Sequence, residues 1–281
     1  MATQTTRNVS ARGAAVVEQP VIEVKHLSLA FDEKVVLRDV SFTLYPGHTK
    51  IILGASGSGK STILKLILGL LKPDAGAIWV NGERTDTMSE HEMMTVRADL
   101  GMVFQEGALF DSLSVGENVG FKLYEETDQP LDQVRARVEE VLGFVGLKEY
   151  IDRRPSELSG GQRRRVAIAR AMAARPSVLF YDEATTGLDP ITAISVDEEM
   201  VKLRDLEGVA SIIVTHQLRD AFFVADHEAV RDGQRIAIRH AGPEKCEEAE
   251  FLMLKEGLLV FEGSAAELRA ATDPYVRTFL S

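Results

Sequence analysis

The chain has 281 residues and a formal net charge of −11 at pH 7. This length allows one large or two small domains with a sizeable core, and the acidic charge argues against nucleic acid as the main partner. The single cysteine, Cys246, excludes an internal disulfide framework and suits a reducing compartment. Residues 1–19 lack the apolar core of a signal peptide, and apolar runs such as 63–71 are too short to span a membrane. We therefore expect a soluble, cytoplasmic protein whose membrane role would depend on a partner.

The first part of the chain predicts a tail followed by strands. Residues 1–20 are small, polar and aperiodic, which is typical of a disordered tail. The following segments 21–29, 35–44 and 50–53 have strand patterns separated by turn signals. Phe31 follows the first predicted strand, where its ring could stack on a base. A core or turn phenylalanine is an equally good interpretation of Phe31 alone.

The segment after the third predicted strand has the pattern G-x-x-x-x-G-K-S, which is that of a phosphate-binding loop. An apolar strand precedes the pattern and a predicted helix at 63–71 follows it, as the motif requires. Its glycines allow backbone N–H groups to turn toward phosphates, its lysine supplies a positive charge, and its serine hydroxyl can bind Mg²⁺. The candidate nucleotide-binding residues are Gly54, Ala55, Ser56, Gly57, Ser58, Gly59, Lys60, Ser61 and Thr62.

A short strand pattern at 101–105 ends in Gln105. It follows a predicted strand at 77–80 with an Asn81-Gly82 turn and a helix-like segment at 89–96. A glutamine amide at a strand end could bind Mg²⁺ or position a water molecule. An ordinary surface glutamine is the better interpretation unless the remainder of a site is present.

A second candidate anion site follows two helical patterns at 115–124 and 131–145. The sequence Leu-Ser-Gly-Gly-Gln opens another predicted helix, and the N-terminus of a helix favours bound anions. Its candidate residues are Ser159, Gly160, Gly161 and Gln162.

Two further strand ends carry polar residues. Asp182 and Glu183 follow the apolar segment 178–181, an arrangement that suits Mg²⁺ binding by Asp182 and polarisation of water by Glu183. His216 follows the predicted strand 210–214, where it could donate to a γ-phosphate. Each feature alone is more often a polar strand exit or a structural histidine, so the interpretation depends on the complete set.

The ordered set resembles the ATPase subunit of an ATP-binding-cassette (ABC) transporter from about Val21 to Gly263. The set comprises GASGSGKST, VFQ, LSGGQ, DE, GLD and TH, and LSGGQ is its most specific member. The resemblance implies an α/β fold with a P-loop NTPase core, an N-terminal antiparallel β-subdomain and an inserted helical subdomain at about 89–158. It also implies a domain over 21–263, with a C-terminal helix and tail over 264–281.

The resemblance implies a role for each candidate. Phe31 would stack on adenine, residues 54–62 would form Walker A with Lys60 as a catalytic group, and Mg²⁺ would bind Ser61, Gln105 and Asp182. Glu183 would be the catalytic base. The other positions that match family motifs are the Q-loop Gln105, the signature Ser159–Gln162, the D-loop Asp189 and the switch residue His216. Family members act as dimers in which each signature closes over the partner's ATP, so a homodimer of ATPase subunits is expected.

A narrower resemblance connects the segments 67–82 and 103–119 to the ATPases of Mla/MCE lipid transport systems. The sequence GALFDS at 107–112 is its best discriminator, because family members receive the permease beside the Q-loop. It implies phospholipid transport between membranes, integral-membrane permease subunits and an MCE-domain lipid-binding protein. The ATPase would then lie peripherally on the cytoplasmic face of the inner (plasma) membrane.

The sequence departs from the family pattern mainly at 227–250, which reads as an insertion. Asp232-Gly233 predicts an extra hairpin, and the acidic segment 242–250 predicts a loop. A regulatory or partner contact and a tolerated surface excursion are both open for this insertion. A smaller departure is Ala184, where a proline usually follows the catalytic glutamate.

Three alternative functions remain open from the sequence. An ABC importer ATPase for a small polar solute such as an amino acid would have the same motifs. A non-transport ABC ATPase would predict a coiled-coil insertion, tandem cassettes or a basic surface, none of which the sequence has. A nucleotide-regulated binding module without turnover would predict loss of Glu183 or His216, and both are present.

Overall fold

The computed structural model describes residues 19–233 and 235–281, so most of the predicted tail at 1–20 lies outside the described residues. The strands are β1 (Ile22–Phe31), β2 (Lys34–Leu44), β3 (Thr49–Gly54), β4 (Ala75–Val80), β5 (Glu83–Arg84), β6 (Leu100–Val103), β7 (Val178–Asp182), β8 (Ala210–Val214), β9 (His227–Asp232), β10 (Arg235–His240), β11 (Ala249–Lys255) and β12 (Leu258–Ser264). The helices are α1 (Lys60–Ile67), α2 (Glu90–Ala98), α3 (Val115–Glu126), α4 (Leu131–Phe144), α5 (Gly160–Ala173), α6 (Pro190–Glu207), α7 (Leu218–Asp226), α8 (Pro243–Cys246), α9 (Ala265–Ala270) and α10 (Pro274–Leu280).

An antiparallel sheet forms the N-terminal β-subdomain, with strand order β2-β1-β4-β5. The predicted Asn81-Gly82 turn joins β4 to β5. Asn81 adopts a positive φ of 49° there, as a tight hairpin turn requires. The N-terminal β-subdomain expected from the sequence is therefore confirmed.

A six-stranded sheet with order β12-β11-β3-β8-β7-β6 forms the core. The strands β11, β3, β8, β7 and β6 are parallel, and β12 is antiparallel at the edge. Every residue of β3 and β8 is buried, which explains the apolar runs at 51–53 and 212–214. The parallel arrangement brings the carboxyl ends of β3, β8 and β7 to one edge of the sheet.

The helical subdomain consists mainly of α3 and α4, which pack against each other and against α5. The predicted span 89–158 is interrupted by β6, because β6 pairs with β7 at the edge of the core sheet. No helix within residues 19–233 and 235–281 combines the length and the apolar character needed to cross a membrane.

The predicted hairpin within 227–250 is confirmed as the pair β9–β10. The expected loop at 242–250 is different, because Pro243 begins the short helix α8 and Ala249 begins β11. The fully buried Arg204 of α6 attaches the segment 227–250 to the core by donating to the His227 carbonyl at 2.6 Å. The neighbouring Asp205 accepts from the Ala229 backbone N–H at 2.7 Å.

The C-terminal segment forms two helices, α9 and α10, where the sequence predicted one helix and a tail. Asp273 caps the second helix by accepting from the backbone N–H groups of Tyr275 and Val276. Pro274 follows at the first helical position, which its fixed φ favours.

A pair of buried carboxyl groups lies between α6 and α7. Asp197 is 1% exposed and Asp220 is 4% exposed, and neither Asp197 oxygen has a hydrogen-bond partner within the described residues. Burial raises the pKa of Asp197 to about 8, with a further contribution from Asp220. The positive charge of Arg219 opposes this shift, and the charge of Glu198 adds to it. We therefore expect Asp197 to remain protonated in the folded protein at neutral pH.

This raised pKa predicts that Asp197→Asn stabilises the protein as the pH increases. Between about pH 4 and pH 8 the unfolded chain releases the Asp197 proton while the folded chain retains it, which costs the parent at most about 1.4 kcal/mol per pH unit. The variant has no such cost. Its denaturation midpoint should therefore rise relative to the parent from pH 5 to pH 8. The exposed Asp232→Asn is the control, and an equal pH profile for parent and Asp197→Asn would contradict the prediction.

Candidate nucleotide-binding and catalytic site

The predicted phosphate-binding loop connects the end of β3 to the start of α1. Gly54 has a φ of 152° and Gly57 a φ of 78°, conformations that L side chains rarely adopt. A Cβ at Gly54 would lie 2.5 Å from the Leu254 carbonyl oxygen of the adjacent strand β11. The loop is therefore held tightly against β11 at its start, whereas a Cβ at Gly57 would meet nothing within 4 Å.

The Lys60 side chain lies within this loop and is 5% exposed. Its ammonium group donates to the carbonyl oxygens of Gly54 at 2.8 Å and Ala55 at 3.1 Å. Burial lowers the pKa of Lys60, and the negative charges of Glu183 and Asp182 oppose this effect. Burial deprives the Lys60 ammonium group of hydrating water, and an anionic ligand would compensate its charge instead.

Ser61 and Asp182 come together across the sheet edge. The Ser61 hydroxyl donates to the Asp182 carboxylate at 2.8 Å. Burial raises the pKa of Asp182, an effect that the Ser61 hydrogen bond opposes and the nearby Glu183 increases. A hydroxyl and a half-buried carboxylate are oxygen ligands of the kind that Mg²⁺ prefers. The residues present therefore fit a magnesium ion beside the phosphate-binding loop.

The structure also brings Glu183 and His216 together. His216 Nδ1 lies 3.2 Å from Glu183 Oε1. Glu183 has a positive φ of 50°, a conformation that costs on the order of 1–3 kcal/mol and is often found at functional sites. The Thr186 hydroxyl donates to Glu183 Oε2 at 3.3 Å, so both carboxylate oxygens have a neighbour.

A cavity of about 530 Å³ lies beside the loop and is lined by three of the predicted elements: Phe31, the Walker A segment with Lys60, and Glu183. Phe31 is 49% exposed, so its ring is available on one side. The sequence analysis missed other lining residues, namely Lys34, Val35, Val36, Arg38, Glu256 and Gly257. Glu256-Gly257 reads as a hairpin turn in the sequence, but no local signal indicates that Arg38 N–H donates to the Gly257 carbonyl at 2.8 Å.

The predicted signature lies in a different part of the chain's surface. Ser159 caps α5 by accepting from the Gln162 backbone N–H at 3.2 Å, and the Gln162 side-chain Oε1 accepts from the Ser159 backbone N–H at 2.9 Å. Gln105 and Gly160 line a second cavity of about 490 Å³. Within one chain, Gln105 and the signature are therefore not part of the cavity that contains Lys60.

Asp189, the predicted D-loop residue, caps the N-terminus of α6. Its carboxylate accepts from the backbone N–H groups of Ile191 and Thr192, both at 3.1 Å. Hydrogen bonds from Thr192, first from its side chain, lower the pKa of Asp189. In this structure the Asp189 carboxylate thus stabilises its own helix.

The fold and this site define a P-loop ATPase. The family model described as "ABC transporter" matches residues 37–186, more than half of the chain. The chain therefore belongs to the ABC transporter family. It is an ATP-binding, ATP-hydrolysing subunit whose activity is coupled to transport.

Curated relatives include proteins associated with different substrates. The chain is 34% identical to the intermembrane phospholipid transport system ATP-binding protein MlaF of Escherichia coli K12, covering 92% of this chain and 88% of MlaF. It is 38% identical to the chloroplastic protein TRIGALACTOSYLDIACYLGLYCEROL 3 of Arabidopsis thaliana, covering 92% and 73%. It is also 38% identical to the methionine import ATP-binding protein MetN of Carboxydothermus hydrogenoformans, covering 77% and 65%.

Solved structures confirm the fold class. A dimeric ATP-binding cassette in a post-hydrolysis state, bound to ADP and Pi, has a TM-score of 0.70 and 28% identity. The match covers 86% of this chain and 98% of that cassette. The α/β P-loop core with its antiparallel and helical subdomains is therefore the architecture of ABC ATPases.

The contrast between Gly54 and Gly57 predicts different effects of alanine. Both substitutions place a side chain at a positive φ, which costs roughly 1–2 kcal/mol. Gly54→Ala adds a collision with the Leu254 carbonyl and Ser58 Oγ and should lower the unfolding free energy by about 1–3 kcal/mol more. Chemical denaturation without nucleotide measures both variants, with Gly57→Ala as the matched control. Equal midpoints for the two variants would refute the collision.

Proposed function

We propose that this chain powers phospholipid transport between membranes through a separate permease. MlaF is matched over 92% of this chain and 88% of its own length, and the methionine import protein MetN of Symbiobacterium thermophilum is matched over 92% and 84%. The extent of similarity therefore supports a transport ATPase without separating the two substrates. The observation that carries the phospholipid proposal is the segment 107–112, which has the sequence GALFDS of the Mla/MCE resemblance beside Gln105.

We infer that ATP binds in the cavity around the Walker A loop. The N–H groups of residues 54–62 and the positive end of α1 would hold the phosphates, with Lys60 at the β- and γ-phosphates. Phe31 is exposed at the cavity rim and would stack on the base. Ser61 and Asp182 would hold Mg²⁺, which would neutralise charge on the phosphates, and Gln105 would join them after movement of its loop.

Glu183 is the proposed general base in this site. Its carboxylate would accept a proton from the water that attacks the γ-phosphate, and His216 would orient that carboxylate and contact the phosphate. The signature Ser159–Gln162 lies outside the Lys60 cavity. Covering the bound ATP with a signature would therefore need a second copy of this chain. Asp189 would lie at that contact between copies. We therefore propose a homodimer that closes on ATP and reopens after hydrolysis.

Glu183→Gln should abolish most turnover and preserve ATP-dependent dimerisation. The amide keeps the shape of the side chain and cannot accept a proton, so the rate should fall about 10²- to 10⁴-fold. Steady-state ATPase assays and light scattering with ATP measure the two properties. Glu207→Gln is the control, because Glu207 is an exposed residue at the end of α6. Unchanged hydrolysis in Glu183→Gln would refute its role as the base.

The proposed permease contact is the segment 107–112. Phe110 is 44% exposed and packs against Phe121 with ring centroids 4.7 Å apart and ring planes tilted by 38°. The buried Asn118 fixes the segment by accepting from the Phe110 N–H at 2.7 Å and donating to the Phe110 carbonyl at 3.0 Å. An apolar ring held at the surface by a rigid backbone suits a hydrophobic partner.

Affinity purification from native membranes in mild detergent tests the whole proposal. We expect permease subunits, an MCE-domain protein and enriched phospholipid, identified by mass spectrometry. Phe110→Ser should reduce the recovery of permease, while Leu131→Ser, which alters another exposed apolar residue, should not. A recovered polar-solute permease would favour the importer alternative that MetN suggests. Recovery of soluble partners alone would contradict both transport proposals and their membrane location.

A further inference from the structure

Arg164 in α5 is a buried residue between two functional loops. It is 8% exposed and lines the second cavity together with Gln105 and Glu106 on one side and residues 186–188 on the other. Its Nη2 donates to the Thr186 carbonyl at 3.4 Å. Arg164 thus hydrogen-bonds to the loop that follows Glu183 and lies beside the loop after β6 in the same cavity.

The charge of Arg164 is poorly compensated. Its Nε is buried and has no hydrogen-bond partner within the described residues. Burial lowers the pKa of Arg164, and the negative charge of Glu106 opposes this effect only partly. A buried charge without good partners is costly, and an apolar side chain of similar size is often neutral or stabilising at such a position. Stability alone therefore does not account for this arginine.

The contacts of Arg164 continue to the proposed catalytic base. Thr186 donates its backbone N–H to the Glu183 carbonyl at 3.1 Å and its hydroxyl to Glu183 Oε2 at 3.3 Å. The carbonyl of the same threonine accepts from Arg164. A displacement of Thr186 would therefore change the orientation of the Glu183 carboxylate.

A second arginine attaches the other loop to the same helix. Arg170 donates to the carbonyl oxygens of Gly107 at 2.8 Å and Ala108 at 2.7 Å. These two residues begin the segment proposed to face the permease. Helix α5 therefore holds that segment through Arg170 and lies against the catalytic loop through Arg164.

We propose that Arg164 is a positioning residue that connects the loop at 105–108 to Glu183 through Thr186. The inference rests on the proposed role of Glu183 as the base. Arg164 fixes the Thr186 carbonyl, and the Thr186 hydroxyl then holds the carboxylate toward the attacking water. Loss of the guanidinium should therefore impair turnover and leave ATP binding and folding intact.

The test compares Arg164→Met with the parent, using the full chain together with the membrane subunits that co-purify with it. We expect kcat to fall about 10- to 100-fold, because small displacements of a catalytic group have effects of this size. The KM for ATP should stay within about twofold, as expected when an interaction acts mainly in the transition state. The thermal midpoint should be unchanged or higher, since methionine removes an uncompensated buried charge. If Arg164 had only a structural role, Arg164→Met would instead lower the thermal midpoint.

The double variant Arg164→Met/Thr186→Val tests the route through Thr186. If the two residues act in series, the kcat of the double variant should equal that of whichever single variant has the lower kcat. Arg135→Met is the control, because Arg135 is exposed on α4 and lines neither the Lys60 cavity nor the Arg164 cavity, and Thr186→Ser should retain the parent rate. An unchanged kcat in Arg164→Met, or multiplicative losses in the double variant, would overturn the proposal. Full activity of Glu183→Gln in the same assay would instead refute the proposed base.

Discussion

The site depends on one constraint, which is that parallel strands place their carboxyl ends at the same edge of a sheet. Strand β8 lies between β3 and β7, so the residues that follow these three strands converge although they are far apart in sequence. The hydrogen bond between Ser61 and Asp182 and the contact between His216 and Glu183 both follow from this order.

Convergence at this edge has an electrostatic cost that a nucleotide would offset. Burial disfavours the charged forms of both residues: it lowers the pKa of Lys60 and raises the pKa of Asp182. Their mutual attraction compensates only partly. Phosphate oxygens near Lys60 and a divalent cation near Asp182 would supply the missing charges. The positive φ of Glu183 adds backbone strain to this cost. The arrangement of the site therefore favours ligand binding at the expense of stability.

The sequence predicted the features that local patterns encode. Each motif is a short run of residues after a strand or before a helix, and strand ends in a parallel sheet meet predictably, which is why Lys60, Asp182, Glu183 and His216 converge as expected. The contacts between Gly257 and β2 and between Thr186 and Arg164 depend on packing at long sequence separation, for which no local pattern exists.

The segment 227–250 shows the same limit of prediction from local patterns. Its hairpin is a local turn signal and was predictable, whereas the acidic composition of 242–250 suggested a loop. Lys245 instead pairs with Asp205 at 2.9 Å, and Asp205 in turn pairs with the buried Arg204. These tertiary contacts favour the short helix α8 over the loop that composition alone indicates.

Helix α5 unites the proposed parts of the ATPase cycle in one rigid element. Its first turn is the signature that would close over a partner's ATP, and its buried face carries Arg164 beside the catalytic loop. Two turns further along, Arg170 holds the segment proposed to face the permease. Because a helix transmits displacement along its axis with little internal change, movement at the permease contact would reach the signature and Glu183 together. On this proposal, α5 would couple the dimer contact to the chemistry through Arg164 and Thr186.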